Sequence, residues 1–283
     1  MGQARSRVGV PFRDAKGDPV SALLSAELLK LRRRPGVLFW GFLSVPVAAL
    51  AFKVAMEGFF FLRSGNVPQG PSDILLSAAQ SLGIASNPIA QLLYVIGVSS
   101  VFHVEYRYAT WRNLVPRAGR FPVLAAKFAV CLLWMVIGLV LTVVGDIILN
   151  TALGFLRDGS GGGAPVQASG IVVLGAALAI AVLELASLAA LAATLTIIFR
   201  SMIAAVVPVF LVGIGCAILQ AYFGAAIASV PMPSFAADAA RAWLFAGAAG
   251  PYGIMGFATL LAWLLAAATA GSLIFWRQSL NAE

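Results

Sequence analysis

The chain has 283 residues, of which 61% are hydrophobic and only 11% are charged, and its formal net charge is +8. Soluble domains carry about 25% charged residues, so this composition excludes an ordinary water-soluble protein. One histidine and two cysteines in the whole chain argue against a metal centre or a disulfide framework, because both need several such side chains close together.

The first 36 residues divide into two parts. Residues 1–19 are polar, with glycine, proline and charges of both signs, and predict a flexible cytoplasmic N-terminus. Residues 20–34, "VSALLSAELLKLRRR", have apolar side chains at helical spacing and predict an amphipathic helix lying in the membrane interface. Either this helix only anchors the protein on acidic lipid, or it also contacts a cytosolic partner. Its charged candidate residues are Glu27, Lys30, Arg32, Arg33 and Arg34.

Long apolar runs fill most of the remaining chain. About 20 apolar residues cross a bilayer as a helix, and continuous rather than alternating runs favour helices over a β-barrel. The sequence therefore predicts an all-α membrane protein with a six-helix transmembrane domain over residues 37–276. The runs are 37–56, 123–145, 171–198, 201–229 and 251–276, with a further span that ends at Val104 and begins near Gln80 or Pro88.

The basic residues are distributed unevenly between the two sides of the predicted membrane. Fifteen of the 19 lie in 1–36, 105–127, 199–200 and 277–283, whereas the segments on the other side hold only Arg63, Arg157 and Arg241. This is the positive-inside pattern, which places both termini in the cytoplasm. Topology and attraction to anionic membrane lipids account for the basic excess, and no nucleic-acid partner is expected.

Several polar residues interrupt the apolar runs. A charge at mid-membrane costs about 2.5–3.5 kcal/mol on insertion scales, so Glu184, in the middle of its run, is expected to face protein or water. It belongs either to a substrate path or to a contact that fixes helix packing. Asp146 and Lys53 lie nearer the membrane border and are expected to be solvated. The candidate substrate-path residues are Gln80, Asn87, Gln91, Asp146 and Glu184.

The segments predicted on the outer side contain turn-forming residues and few charges. Residues 57–79 predict an outer loop. In residues 230–250, Asp238 and Arg241 have the i, i+3 spacing of a pair on a short surface helix. That segment is either an outer gate or a packed connector between spans five and six.

The basic stretch between spans two and three, "EYRYATWRNLVPRAGRFPVLAAK", covers residues 105–127. It resembles the cytoplasmic segment of type-2 ABC exporter permeases, and Glu105, Thr110, Arg120 and Lys127 match that family's pattern. Ala109 stands where the family usually has glycine. The segment "SAELLKLRRRP" before span one resembles the family's interface helix.

The resemblance implies that a short coupling helix after span two docks into a separate ATPase. It implies charged contacts from Glu105, Arg107 and Arg112, with Trp111 and Leu114 as apolar anchors. It further implies two ABC ATPase subunits that bind ATP and Mg, a second permease copy or a paralogue, and a bacterial plasma (inner) membrane location. No cofactor or catalytic activity is expected in this chain. The coupling residues are Glu105, Arg107, Thr110, Trp111, Arg112, Leu114, Arg117 and Arg120.

Other interpretations remain open from the residues alone. The basic stretch could serve only to orient the protein and bind lipid. The whole chain could be an ion-coupled secondary transporter that uses Asp146 or Glu184, or a membrane enzyme or assembly factor. Few fixed charges in the spans favour an apolar or amphipathic substrate.

Overall fold

A computed structural model describes residues 19–65, 73–158, 167–224, 230–246 and 252–278. The predicted flexible N-terminus, residues 1–19, lies outside these ranges except for Pro19. Within the described ranges the chain is helical and contains no strand. Six of the helices are long and apolar enough to cross a membrane, which confirms the predicted all-α membrane fold.

The helices follow one another closely along the chain. Their bounds are α1 (Pro19–Arg32), α2 (Pro35–Leu38), a π-helical turn (Phe39–Leu43), α3 (Ser44–Ser64), α4 (Ile74–Ser81), a 3-10 turn (Leu82–Ser86), α5 (Pro88–Arg107), α6 (Trp111–Ala118), α7 (Arg120–Asp158), α8 (Ala168–Phe199), α9 (Met202–Phe223), α10 (Pro233–Ala246) and α11 (Tyr252–Arg277). The first span runs continuously from α2 through the π-helical turn into α3. The other spans are α5, α7, α8, α9 and α11.

The second span begins at Pro88. Asn87 precedes it as the N-cap, and its side-chain oxygen accepts hydrogen bonds from the amides of Ile89 (2.9 Å) and Ala90 (3.3 Å). An asparagine cap followed by proline at the first helical position is a strong helix start, because proline has no amide to leave unsatisfied. The alternative start near Gln80 is therefore wrong.

The predicted outer loop over 57–79 is also wrong in part. Helix α3 continues to Ser64, and α4 begins at Ile74 after the cap Asp73, whose carboxylate accepts from the Leu75 amide at 3.0 Å.

Helix α10 is packed against the bundle and is not a surface helix. Its Ala236, Ala237 and Ala240 are buried in one cluster with Ile180 of α8 and Leu260 of α11, and Phe235 is also buried. A Cβ atom on Gly256 of α11 would lie 2.5 Å from the Ala236 carbonyl oxygen, so α10 and α11 meet backbone to backbone. The small side chains permit this approach, so α10 packs closely against α11.

The first and second spans cross at the π-helical turn. A Cβ atom built on Gly41 would lie 2.5 Å from the Gly97 Cα, and one on Gly97 would lie 2.8 Å from the Gly41 carbonyl oxygen. Only hydrogen fits at either position, so the crossing requires glycine on both helices. Short π-helical segments often mark places where a helix adapts to a neighbour or a site.

We expect Gly97→Ala to lower the free energy of unfolding by about 1–3 kcal/mol, because added volume at a filled contact forces the backbones apart. The control is Gly58→Ala in α3, where an added Cβ meets nothing within 4 Å. That change should be neutral or slightly stabilising, because alanine favours helix by about 1 kcal/mol over glycine. Unfolding in mixed detergent micelles measures both variants, and equal stabilities would contradict the close crossing.

Candidate functional site

Four charged residues meet at the end of the bundle that carries α1, α6 and the last turn of α11, here called the basic end. Lys127 of α7 donates from Nζ to Glu27 Oε2 of α1 and to Glu105 Oε1 of α5, at 2.7 Å in both cases. Lys30 of α1 donates to Glu27 Oε1 at 2.6 Å and to Glu105 Oε1 at 3.2 Å. Glu27, Lys30, Glu105 and Lys127 form the charge cluster.

The charge cluster is electrically balanced and largely closed to solvent. The Lys127 side chain is 1% exposed and that of Glu105 is 3% exposed, whereas that of Lys30 is 45% exposed. Burial lowers the pKa of Lys30, but its hydrogen bond to Glu27 and the charges of Glu27 and Glu105 outweigh burial and raise it. Each buried charge thus has an opposite partner, which is what makes its burial tolerable.

The turn between α5 and α6 is bonded to the same cluster. The Thr110 hydroxyl donates to Glu105 Oε2, and the Thr110 amide donates to the Glu105 carbonyl at 3.0 Å. Ala109 has φ +51° in this turn, a left-handed conformation that glycine adopts without steric cost. This backbone requirement explains why glycine would suit the position that Ala109 occupies.

Aromatic contacts hold α6 against the bundle. The Trp111 ring lies 4.7 Å from the Phe275 ring of α11 and 5.7 Å from the Tyr106 ring of α5, between centroids. Lys127 Nζ lies 5.7 Å from the Trp111 centroid, within cation–π range. Trp111 is 2% exposed.

Two of the predicted coupling residues lie inside the bundle. The Trp111 ring is enclosed by α5, α7 and α11. The Glu105 carboxylate is enclosed by Lys127, Lys30 and Thr110. Both residues support α6 from within the chain, and their contact with a partner stays a prediction.

Arg120 binds the C-terminal turn of the last span. Its Nη1 donates to the carbonyl oxygens of Phe275 and Trp276, both at 2.6 Å, and to that of Gln278 at 3.0 Å. The last carbonyls of a helix lack helical partners and attract a cation. Tyr106 adds a bond from its hydroxyl to Gln278 Oε1 at 3.1 Å. The end of α11 is thus attached to α5 and α7.

The outward side of the same region is basic. Arg107 and Arg112 are exposed, as are Arg32, Arg33 and Arg34 after α1, while Leu114 is half-buried. Arg117 lies on α6, but its side chain is outside the described part. None of the described residues forms an ion pair with these exposed arginines. The outward face of α6 and the turn before it therefore carries uncompensated positive charge.

A second polar cluster lies toward the opposite end of the bundle, at Asp146. This carboxylate accepts from Lys53 of the first span, from Ser77 Oγ of α4 at 3.0 Å and from Asn150 Nδ2 at 2.8 Å. The expectation that Asp146 is solvated is wrong, because its side chain is only 3% exposed. The cluster attaches α4 to the first and third spans.

A third cluster surrounds Glu184, which is fully buried. Its carboxylate is paired with Arg241 of α10, and it also accepts from Ser86 Oγ at 3.0 Å and from Gln91 Nε2 at 3.1 Å. Arg241 Nη1 further contacts Asp238 Oδ1 at 3.2 Å. These contacts join α5, α8, α10 and the 3-10 turn.

The five candidate substrate-path residues do not form one lining. Gln91 and Glu184 are brought together, whereas Asp146 lies in the separate cluster with Lys53. Gln80 is exposed, and Asn87 serves as the cap of α5. The partners Lys53, Arg241, Ser77 and Ser86 were outside the predicted path. In the sequence, these four residues are recognisable only as charges or hydroxyls near long apolar runs. That pattern does not indicate which residue each of them contacts.

The cysteines fit the prediction of small apolar residues, since Cys131 and Cys216 are both buried and free. Within the described ranges, no three histidine, cysteine, aspartate or glutamate side chains are grouped so that they could hold a metal ion.

Comparison with known families gives one match. The family model described as ABC-2 family transporter protein matches residues 23–217, more than half of the chain. The chain belongs to the ABC-2 transporter family. The matched region begins in α1 and includes the charge cluster, α6 and most of α9. Searches of curated proteins and of solved structures return no match.

Family membership defines the general role of this ABC-2 protein. It is a multi-pass membrane permease of ABC-type transport, and members of this family are transport components rather than catalytic ones. The family also implies association with ABC ATPase subunits. The charge cluster and α6 are therefore the part of the chain to examine for contact with such subunits.

Lys127→Met should destabilise the protein by about 3 kcal/mol or more, because removing one partner leaves buried carboxylates without full compensation. The matched control is Lys30→Met, which removes a lysine from the same cluster. Because the Lys30 side chain is nearly half exposed, that change should cost at most about 1 kcal/mol. Unfolding curves in mixed micelles measure the difference, and equal losses would contradict the assignment of Lys127 as the central cation.

A double-mutant cycle tests the Glu184 cluster. Arg241→Gln should destabilise the protein by about 3 kcal/mol, because Glu184 is then buried without a cation. Adding Glu184→Gln should restore part of that loss, because a neutral amide needs no counter-charge. Unfolding of the two single variants and the double variant gives the coupling. A double variant as unstable as the sum of both singles would show that the pair does not interact.

Proposed function

We propose that the protein is the permease subunit of an ATP-driven exporter, and that α6 is the element through which its ATPases act on it. Two ATPase subunits, which bind ATP and Mg, would supply the work, and two permease chains would form the path. The observation that carries the proposal is the two-sided character of α6. Its inner side is fixed to three spans, whereas Arg112 and the nearby Arg107 are exposed and have no ion-pair partner among the described residues.

The inner contacts support transmission of a movement. Trp111 packs on α5 and α11, and Thr110 is bonded to Glu105 at the end of α5. Through Lys127, the same carboxylate is joined to α7 and α1. A displacement of α6 would therefore move the ends of spans two, three and six together with α1. Rigid-body shifts of packed helices are a known way to alternate access to a path.

The outer contacts support recognition of an acidic partner surface. Arg107 and Arg112 are exposed on the same region and lack ion-pair partners among the described residues. Charges at the rim of an interface orient the partners and set the association rate. We propose that the basic end lies in the cytoplasm of a bacterium, with both termini on the inner side of the plasma membrane, and the positive-inside pattern supports this orientation.

The pairing of charges within the spans bears on the cargo. Asp146 is compensated by Lys53, and Glu184 by Arg241. Carboxylates that are already paired and hydrogen-bonded favour a packing role over a proton relay, which disfavours the ion-coupled alternative. The described spans then offer mainly apolar side chains to a cargo, so we propose an apolar or amphipathic substrate.

Arg112→Glu should reduce the amount of ATPase bound to the permease by about tenfold, the equivalent of about 1.4 kcal/mol. The rate of ATP hydrolysis by the isolated complex should fall by about the same factor. Reversing an exposed charge replaces attraction with repulsion while leaving the buried cluster intact. The full chain is isolated from its native membrane in mild detergent, and bound ATPase is quantified by mass spectrometry. Arg63→Glu, an exposed arginine at the opposite end, is the control with the same charge change.

Two outcomes would overturn the proposal. If the Arg112→Glu variant retains normal amounts of active ATPase, α6 does not form the contact with the ATPase. If the chain is isolated without any ATPase in several mild detergents, the proposal of ATP-driven export itself is overturned.

A further inference from the structure

A cavity of about 300 Å³ opens at the basic end between α1, the start of α2 and the end of α5. Its polar side includes Lys30, Arg33, Arg34 and Tyr108, together with the buried part of the charge cluster. The proposed transmission uses Glu105, Thr110 and Lys127 of its lining but assigns no ligand to the cavity. Its volume is at the lower end of ligand pockets, which range over about 300–1,000 Å³.

The cavity has an excess of positive charge at its mouth. Lys30 and Lys127 are matched by Glu27 and Glu105, which leaves the cluster neutral. Arg33 and Arg34 also line the cavity and are exposed, and no described residue pairs with either of them. The Arg34 guanidinium lies 5.9 Å from the Tyr108 ring centroid. Two uncompensated guanidinium groups beside one opening attract an anion and suit phosphate in particular.

The cavity also has an apolar lining that belongs to the spans, here called its apolar wall. Val37 stands at the start of the first span, and Val101 and Val104 lie in the last two turns of the second. The charged mouth is therefore at the membrane border, while the apolar wall lies toward the bilayer interior. A soluble anion would use only the mouth, whereas a phospholipid has a phosphate and an acyl chain in this same order.

We propose that this cavity binds one anionic phospholipid of the surrounding membrane, with its phosphate on Arg33 and Arg34 and the start of one acyl chain along Val37, Val101 and Val104. Basic pockets between helices at this membrane level bind anionic head groups. Glu105 and Thr110 also line the cavity, so the bound lipid contacts the turn that leads into α6. The site thereby makes the stability of that turn depend on the anionic lipid content of the membrane.

The experiment uses the full chain, with any subunits that accompany it, after removal of lipid by detergent exchange. The probes are phosphatidylglycerol, phosphatidylcholine and soluble glycerol 1-phosphate, and native mass spectrometry counts the bound molecules. Phosphatidylglycerol should bind at one saturable site. Arg33→Gln with Arg34→Gln should weaken that binding at least tenfold.

The matched control is Arg32→Gln with Arg277→Gln, which removes two exposed arginines from the same end but none from the cavity. It should weaken binding less than twofold. Equal weakening by both double variants would overturn the site in favour of general surface attraction. Equal binding of phosphatidylcholine would overturn anion recognition, and competition by glycerol 1-phosphate as strong as that of the lipid would overturn the lipid assignment.

A second variant keeps the proposal testable if the arginine double variant does not fold. Val37→Phe retains both arginines and narrows the cavity along its apolar wall. We expect it to weaken phosphatidylglycerol binding at least fivefold and to leave the attraction of soluble anions unchanged. Unaltered lipid binding in Val37→Phe would overturn the proposed path of the acyl chain and with it the site.

Discussion

The fold depends on the buried ammonium group of Lys127, whose charge the neighbouring helices must compensate. Lys127 lies near the start of a span, where water is largely excluded, and an unpaired charge there would carry a desolvation penalty of several kcal/mol. Glu27 and Glu105 supply the opposite charges, each at 2.7 Å. These carboxylates come from two other helices, so α1, α5 and α7 have to assemble before Lys127 is stable. The Lys127 side chain thus fixes how α1 sits on the bundle.

The same constraint shapes the opposite half of the molecule. Glu184 lies midway along α8, where neither lipid nor water is available to it, and its cation comes from α10. Asp146 of α7 is met by Lys53 and by hydroxyl and amide groups from α4 and its own helix. The short helices α4 and α10 are drawn against the spans because they carry the partners of buried carboxylates. Apolar packing alone would not favour contact of α4 and α10 with the spans over contact with lipid, because lipid is as apolar as the helices.

These pairings mark the limit of prediction from one sequence. The spans could be predicted, because a run of about 20 apolar residues has few other stable forms. The helices Pro19–Arg32 and Trp111–Ala118 lie where charges interrupt those runs, but their roles at the interface and in coupling stay predictions. The partners could not be predicted, because Lys127 meets a residue 100 positions away and Arg241 meets one 57 positions away. Periodicity gives the face of a helix but not the helix opposite.

The turn before α6 shows how the charge cluster supports an unfavourable local conformation. Ala109 is held at φ +51°, and a left-handed residue other than glycine costs roughly 1–2 kcal/mol. Such a conformation persists when contacts with surrounding residues outweigh the intrinsic backbone preference of the residue. Here Thr110 is bonded to Glu105, Trp111 is enclosed by Tyr106 and Phe275, and Lys127 connects the carboxylate to the ring. The direction in which α6 leaves the bundle is therefore set by contacts within the chain itself.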